Sequence, residues 1–433
     1  MKHTLYFLVL LFIVSPLEAG DSWQDEADAR IERHRKEDVK IIVTKNGKPV
    51  QNATVKVTME RHEFLFGCNI FKWSRFEEPE ADEAYKRRFA ELFNFATLGF
   101  YWWSYEQKMD QPNYDYSEQV VQWCKQNKIT TKGHPLSWNH ADPSWVKKLD
   151  DEEIYRRQID RIKQCAEHFR GKIEIWDVFN EPVAWNRKGF WERSPRLTRI
   201  IKQKDPLTFV KACFVAARKG NPEATLLIND FLLDERYVEW IEKLVDENGK
   251  PLYDVIGLQS HMHGAVWNND KIWKTCERYK KFGVPLHFTE TTIISALGEF
   301  DKDRPGGTPT TPEGEIQQRD DIVRFYTMLF SHPSVEAITW WGLTDRGAWR
   351  NAPAGFLRKD MSPKSSFDAL KHLIREKWAT NESGRTDADG VWKVRAFRGD
   401  YRLDVTLPDG TEVKDPYFRE VKKQSPEIVI ELP

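Results

Sequence analysis

The sequence predicts a (β/α)8 barrel, a TIM-type fold, joined to a small β-sandwich built from segments at its two ends. Three observations carry this reading. Eight short β-rich runs alternate with helical stretches between Phe64 and Trp378, the runs end in polar side chains, and alternating strands without a core of their own lie outside that span. A chain of 433 residues has room for one large barrel with attachments, and 40% hydrophobic against 31% charged residues describes a soluble globular protein. A doubly wound open sheet is the competing arrangement. It is disfavoured because no glycine-rich phosphate-binding turn follows the first strand.

At the start, Lys2 and His3 precede an apolar run from Leu5 to Val14 that ends in small residues near Ala19, the layout of a secretory signal. Residues 1–19 are therefore expected to be removed and the mature protein to be secreted or periplasmic. The run is too short for a ~20-residue membrane span, so an uncleaved anchor is the alternative and no membrane association is expected after cleavage. Residues 20–38 form a charged leader with a short helix. Between residues 39 and 63, VKIIVT (39–44) and ATVKVTME (53–60) alternate around a turn at Asn46-Gly47-Lys48-Pro49. Residues 379–433 repeat the style in VWKVRAF (391–397), YRLDVTL (401–407) and EIVIEL (427–432), separated by turns at Asp387 to Gly390 and at Asp409-Gly410. An isolated hairpin is marginal in water, so the two segments are expected to complete one sandwich around the barrel.

The barrel, residues 64–378, takes its strands from FLFGCN (64–69), FATLGF (95–100), ITTKGH (129–134), IEIWDVF (173–179), TLLIND (225–230), VIGLQS (255–260), PLHFTE (285–290) and AITWWG (337–342). Sixty-six Lys and Arg balance sixty-seven Asp and Glu, which gives no electrostatic reason to bind nucleic acid. Cys68, Cys124, Cys165, Cys213 and Cys276 are scattered, without the close pairs of a zinc site, and read as buried thiols. Eighteen Trp is a high count, and flat rings with one polar edge suit sugar faces.

Active groups of such a barrel stand at the C-terminal strand ends. There the fourth run leads into Asn180-Glu181-Pro182 and the seventh ends in Glu290, on opposite sides of the barrel. Two carboxylates ~5–5.5 Å apart divide glycosidic cleavage, one protonating the leaving oxygen and the other attacking the anomeric carbon. Taken alone, Glu181 also fits a helix-start acid and Glu290 a structural ion pair. His261 and His263 would suggest a metal if a third ligand stood at a suitable spacing, and none does. Of Trp102, Trp103, Trp145, Trp185 and Trp273, two are expected to face substrate and the others to pack.

The blocks GHPLSW (133–138), WDVFNEP (176–182), INDF (228–231), IGLQSHMH (256–263), HFTET (287–291) and WWGLTDRGAW (340–349) together resemble glycoside hydrolase family 10, the endo-1,4-β-xylanase family. The flanking segments resemble a carboxypeptidase-regulatory-like, prealbumin-type sandwich. The first resemblance implies a retaining mechanism with Glu181 as acid/base and Glu290 as nucleophile. It also implies Asn180 on the sugar 2-hydroxyl, His134, Gln259 and His261 lining the cleavage subsite, and Trp138, Trp341 and Trp349 walling it. No metal or other cofactor is implied, and the expected partner is xylan or a related β-glycan acted on by a monomer. Three departures stand out. Thr97-Leu98-Gly99-Phe100-Tyr101-Trp102-Trp103 replaces the family's T-x-E-N-x-x-K-W, Thr292 stands where the family has Asp, and Asn139 where it often has His. The alternatives are therefore altered or decorated-xylan specificity, or a catalytically weak carbohydrate-binding protein.

Overall fold

The computed structural model describes residues 22–298, 300–424 and 427–433; the predicted signal lies outside them. Helix α1 (Ser22–Arg35) leads into β1 (Lys36–Lys45), which turns through the two-residue β2 (Lys48–Pro49) into β3 (Thr54–His62). The barrel strands are β4 (Leu65–Asn69), β5 (Phe95–Gly99), β6 (Thr130–His134), β7 (Ile175–Asn180), β8 (Thr225–Asp230), β9 (Val255–Met262), β10 (Leu286–Ile293) and β11 (Val335–Trp340). After the last barrel helices come β12 (Asn381–Arg385), β13 (Val391–Phe397), β14 (Gly399–Thr406), β15 (Tyr417–Val421) and β16 (Glu427–Leu432).

Among the described residues, eight strands close in the order β4 to β11, with β11 returning to β4, and every neighbouring pair is parallel. Parallel neighbours need long crossovers, and these are supplied by helices such as Asp151–His168 and Pro206–Gly220. Apolar residues fill both faces of the strands: Phe66, Phe95, Trp176, Leu226, Ile256 and Phe288 are all inaccessible to solvent. Small residues allow the close contacts: a Cβ on Gly133 would fall 2.1 Å from the Trp176 ring, so only glycine fits beside that indole.

The flanking segments do pair with one another. β1 is antiparallel to β13 and parallel to β16, while β3 lies between β12 and β14 in an order β12-β3-β14-β15. Val39, Ile41 and Val43 of one sheet meet Val55, Val57, Leu403 and Val405 of the other in a core separate from that of the barrel. The first strand begins at Lys36, three residues before the apolar alternation, because the register with β13 extends from Lys36↔Phe397. A chain of aromatic contacts links sandwich and barrel: His62 lies edge-on to Phe397 at 5.8 Å and to Phe66 at 5.4 Å, and Phe330 stacks on Trp378 at 4.4 Å. All five cysteines are unpaired and buried, and burial pushes the Cys124, Cys165 and Cys213 thiols up to about 12.

Candidate active site

At the C-terminal ends of the barrel strands a cavity of about 400 Å³ opens, and all nine residues singled out from the sequence line it: His134, Trp138, Asn180, Glu181, Gln259, His261, Glu290, Trp341 and Trp349. Two larger grooves, of about 870 and 780 Å³, lie on the outer face around the helix Asp115–Gln126 and hold no comparable group of converging side chains.

Local irregularity aims both carboxylates. The ladder between β7 and β8 shifts register between Asp177 and Phe179, and that between β9 and β10 between Phe288 and Glu290. A bulge of this kind re-aims the side chains that follow it. Glu181 then leaves the strand in the left-handed region, φ 60° and ψ 51°, and its N–H donates to the Asn229 carbonyl at 2.7 Å.

The two carboxyl groups feel different surroundings. Burial lifts Glu181 to about 8, with the charges of Asp230 and Glu290 adding to it and the Arg187 guanidinium, in contact with its Oε2, opposing it. Burial also acts on Glu290, but His134 and His261 outweigh it and hold that carboxyl below the usual range. Asn229 Nδ2 donates to Glu290 Oε1 at 2.8 Å, and His261 Nε2 lies 3.2 Å from Oε2. One group thus keeps its proton at neutral pH while the other, across the same cavity, stays an anion, the separation that acid and nucleophile roles require.

Buried polar partners set the orientation. Lys132 Nζ and His134 Nδ1 both meet Asp177 Oδ2, at 2.8 and 2.7 Å, which turns His134 Nε2 toward Glu290 Oε1 at 3.8 Å. Asn180 Oδ1 accepts from Asn229 Nδ2 at 2.8 Å and from Gln259 Nε2 at 3.3 Å. Its Nδ2 is left with no partner among the described residues, as is Trp138 Nε1. Buried donors of this kind are rare in folded proteins and suit a ligand rich in hydroxyls.

The aromatic wall differs from the sequence expectation in two places. Of the five undecided tryptophans only Trp103 lines the cavity; Trp102 is buried and donates to Glu106 Oε2 at 2.7 Å, and Trp145 donates to the Glu106 carbonyl at 2.8 Å. Asn139 lies outside the cavity, donating to the Trp185 carbonyl and to Thr198, while His140 stacks on Trp138 at 4.1 Å and takes the wall position. At Gly99 a Cβ would touch the rings of Tyr101 and Phe71 at 3.3 and 3.4 Å, so aromatic surface fills the space beside β5. Thr292 Oγ1 lies 3.3 Å from His261 Nδ1 and 3.2 Å from His263 Nε2, bridging the two imidazoles.

Several residues of the site were not singled out from the sequence. Asp177 interrupts the otherwise apolar run IEIWDVF, a signal that could have marked it, whereas Lys132 sits in the largely polar ITTKGH and Asn229 was noted only as a strand end. Tyr101, His140 and Arg187 lie in loops where no periodicity operates. Among the described residues no group of three or more His, Cys, Asp or Glu is placed to hold a metal ion.

Comparison with known proteins bears on the same span. The family model described as Glycosyl hydrolase family 10 matches residues 55–373. Endo-1,4-beta-xylanase B of Thermotoga neapolitana is 26% identical over 335 residues, covering 72% of this chain and 88% of that protein. Anti-sigma-I factor RsgI6 of Acetivibrio thermocellus is 27% identical over 396 residues, 90% of this chain; the match takes up 47% of that longer protein. Xylanase 10B from Thermotoga petrophila RKU-1, solved in complex with xylobiose, superposes with a TM-score of 0.60 at 23% identity, covering 73% of this chain and 95% of that one, a likeness of fold.

Proposed function

The chain belongs to glycosyl hydrolase family 10, and from that premise we propose that it is a secreted, retaining endo-β-1,4-xylanase that cleaves internal bonds of xylan. The observation that carries this reading is the opposed protonation of Glu181 and Glu290 across one cavity. In the first step the Glu290 carboxylate attacks the anomeric carbon while the Glu181 carboxyl protonates the departing oxygen, giving a glycosyl-enzyme ester. In the second, Glu181, now an anion, takes a proton from water, and the hydroxide equivalent displaces Glu290 with net retention. The free Asn180 Nδ2 stands ready for the sugar 2-hydroxyl beside the nucleophile. Tyr101, Trp138, Trp341 and Trp349 supply ring faces for the sugar. Export rests on the predicted signal at residues 1–19.

A second reading concerns specificity alone. With Gly99, Tyr101 and Trp103 in place of polar side chains, the wall beside β5 offers ring faces where hydrogen bonds to an unbranched chain would otherwise form, which favours a decorated xylan or another β-glycan.

Incubation of the purified mature protein with linear and decorated xylans, followed by NMR of the first products, tests the proposal. New reducing ends are expected in the β configuration, and Glu181→Ala and Glu290→Ala should each lower turnover of xylan by at least a thousandfold while leaving binding within about tenfold. α-Configured products, or turnover unaffected by either substitution, would overturn it. Binding without turnover by the unaltered protein would favour a carbohydrate-binding role.

A further inference from the structure

We propose that Arg187 forms a carboxylate-binding subsite on the leaving-group side of Glu181, so that the favoured substrate carries a uronic acid branch there. This rests on the acid/base role of Glu181. A proton donor to the leaving oxygen faces the departing part of the chain, and Arg187 touches its Oε2 from the segment that follows Glu181.

The arginine is held but open. Its guanidinium carbon lies 4.5 Å from the Phe190 ring centroid and 4.9 Å from that of Phe231, so two aromatic rings flank the group. Its side chain is nonetheless 45% exposed, against 10% for Glu181, which leaves donor N–H groups facing solvent. A planar fork of donors suits the two oxygens of a carboxylate.

The pairing with Glu181 works against the acid role without abolishing it, since burial still keeps the carboxyl raised. A cation on the acid favours its anion, whereas the first step needs the proton in place. A substrate carboxylate that draws the guanidinium outward removes this opposition at the moment of binding. An unbranched xylan carries no such group; a glucuronic acid branch does. Arg187 would then make an acidic branch a condition for fast cleavage rather than a tolerated ornament.

The test compares kcat/KM of the mature protein on three xylo-oligosaccharides of equal backbone length: unbranched, bearing one glucuronic acid, and bearing the same branch with its carboxyl reduced to the alcohol. The acidic substrate is expected to be preferred at least tenfold over both others. Arg187→Gln should bring that ratio close to one, and Arg187→Lys should keep part of it. Equal rates on the acidic and carboxyl-reduced substrates would overturn the inference without any variant, and so would an unchanged ratio in a folded Arg187→Gln protein. Cleavage of the unbranched substrate with no preference sinks this subsite alone, whereas no cleavage of any of the three removes the xylanase reading with it.

Discussion

Glu181 holds a left-handed backbone that a residue with a Cβ adopts at a cost of about 1–2 kcal/mol, and the Asn229 carbonyl and the following Pro182 keep it there. Strain at this position is consistent with a carboxyl group aimed out of the strand direction. Its burial makes a pH dependence. With Glu181 raised to about 8 and Glu290 lowered, kcat/KM for xylan should be flat near neutrality and fall about tenfold per pH unit above 8, as the acid loses its proton. An aryl xyloside whose leaving group needs no protonation should lose this basic limb in Glu181→Ala. Linkage gives the sign for stability: a carboxyl raised on folding is most favourable when protonated, below its ordinary value near 4.5, and that advantage is lost as pH rises through 8. Glu181→Gln is therefore expected to raise Tm relative to the unaltered protein at pH 9 and to leave it unchanged at pH 4, by calorimetry; equal Tm differences at both would contradict the raised carboxyl. The proposed catalytic pair, with Asn180, His134 and Gln259, was legible in the sequence because these residues stand where strand runs end, whereas Trp138 and Trp349 were reached only through the family resemblance. Arg187 was not legible, because contact with Glu181 depends on how a short irregular loop folds back.

At the scale of elements, most barrel strands were readable because a strand buried on both faces shows a largely apolar run bounded by polar residues, while the mostly polar ITTKGH was placed by its β-branched residues and its spacing between helical stretches. β13, β14 and β16 showed the alternation of strands with one buried face. β12 and β15 did not, for a physical reason: they are the two edges of the sheet β12-β3-β14-β15, and NESGR and YFREV are mostly exposed, so no inward face imposes a period. The bulges in β7 and β10 were equally hidden, since they depend on a neighbour's register. Helix α1 was read only as a charged leader, yet its last residue is a buried anchor. Arg35 donates to the carbonyls of Phe330, His332 and Val335 at 2.6, 2.7 and 2.7 Å, at the strand-entry end of β11. Burial pulls its guanidinium down to about 9, a measure of how little water remains there. Arg35→Leu leaves three carbonyls without that donor and should cost about 3 kcal/mol in urea unfolding. Because this end of the barrel is opposite the cavity, kcat on xylan at low temperature should stay within about twofold. A loss of activity without a loss of stability would show that α1 reaches the site instead.

For the molecule as a whole, the barrel is spliced into the sandwich: only residues 63 and 64 separate β3 from β4, and β12 follows closely on Trp378. The consequence is mutual dependence of segments more than three hundred residues apart in sequence, such as Lys36↔Phe397 and Lys40↔Glu427. β1 without β13 and β16 keeps only the two-residue β2 as a neighbour, and β3 without β12 and β14 keeps none. Val39, Ile41, Val43, Val55 and Val57, now buried, would then face water on unpaired strand edges, a template for aggregation. The joint also feeds into the barrel, since Phe397 lies against His62 at 5.8 Å and Phe330 at 6.2 Å. Burial lowers the His62 imidazole to about 3, so at neutral pH it serves this joint as an uncharged ring. A chain ending after Trp378 keeps every residue lining the candidate cavity, yet it should be recovered mostly as aggregate and unfold at least 5 °C lower than the full protein. Removing residues 22–63 together with 379–433 takes away the orphaned strands and should restore solubility while leaving the barrel less stable, because α1 and Arg35 go with them. If the single truncation is instead as soluble and as stable as the full chain, the two terminal segments do not depend on each other, and the sandwich is a pair of independent decorations.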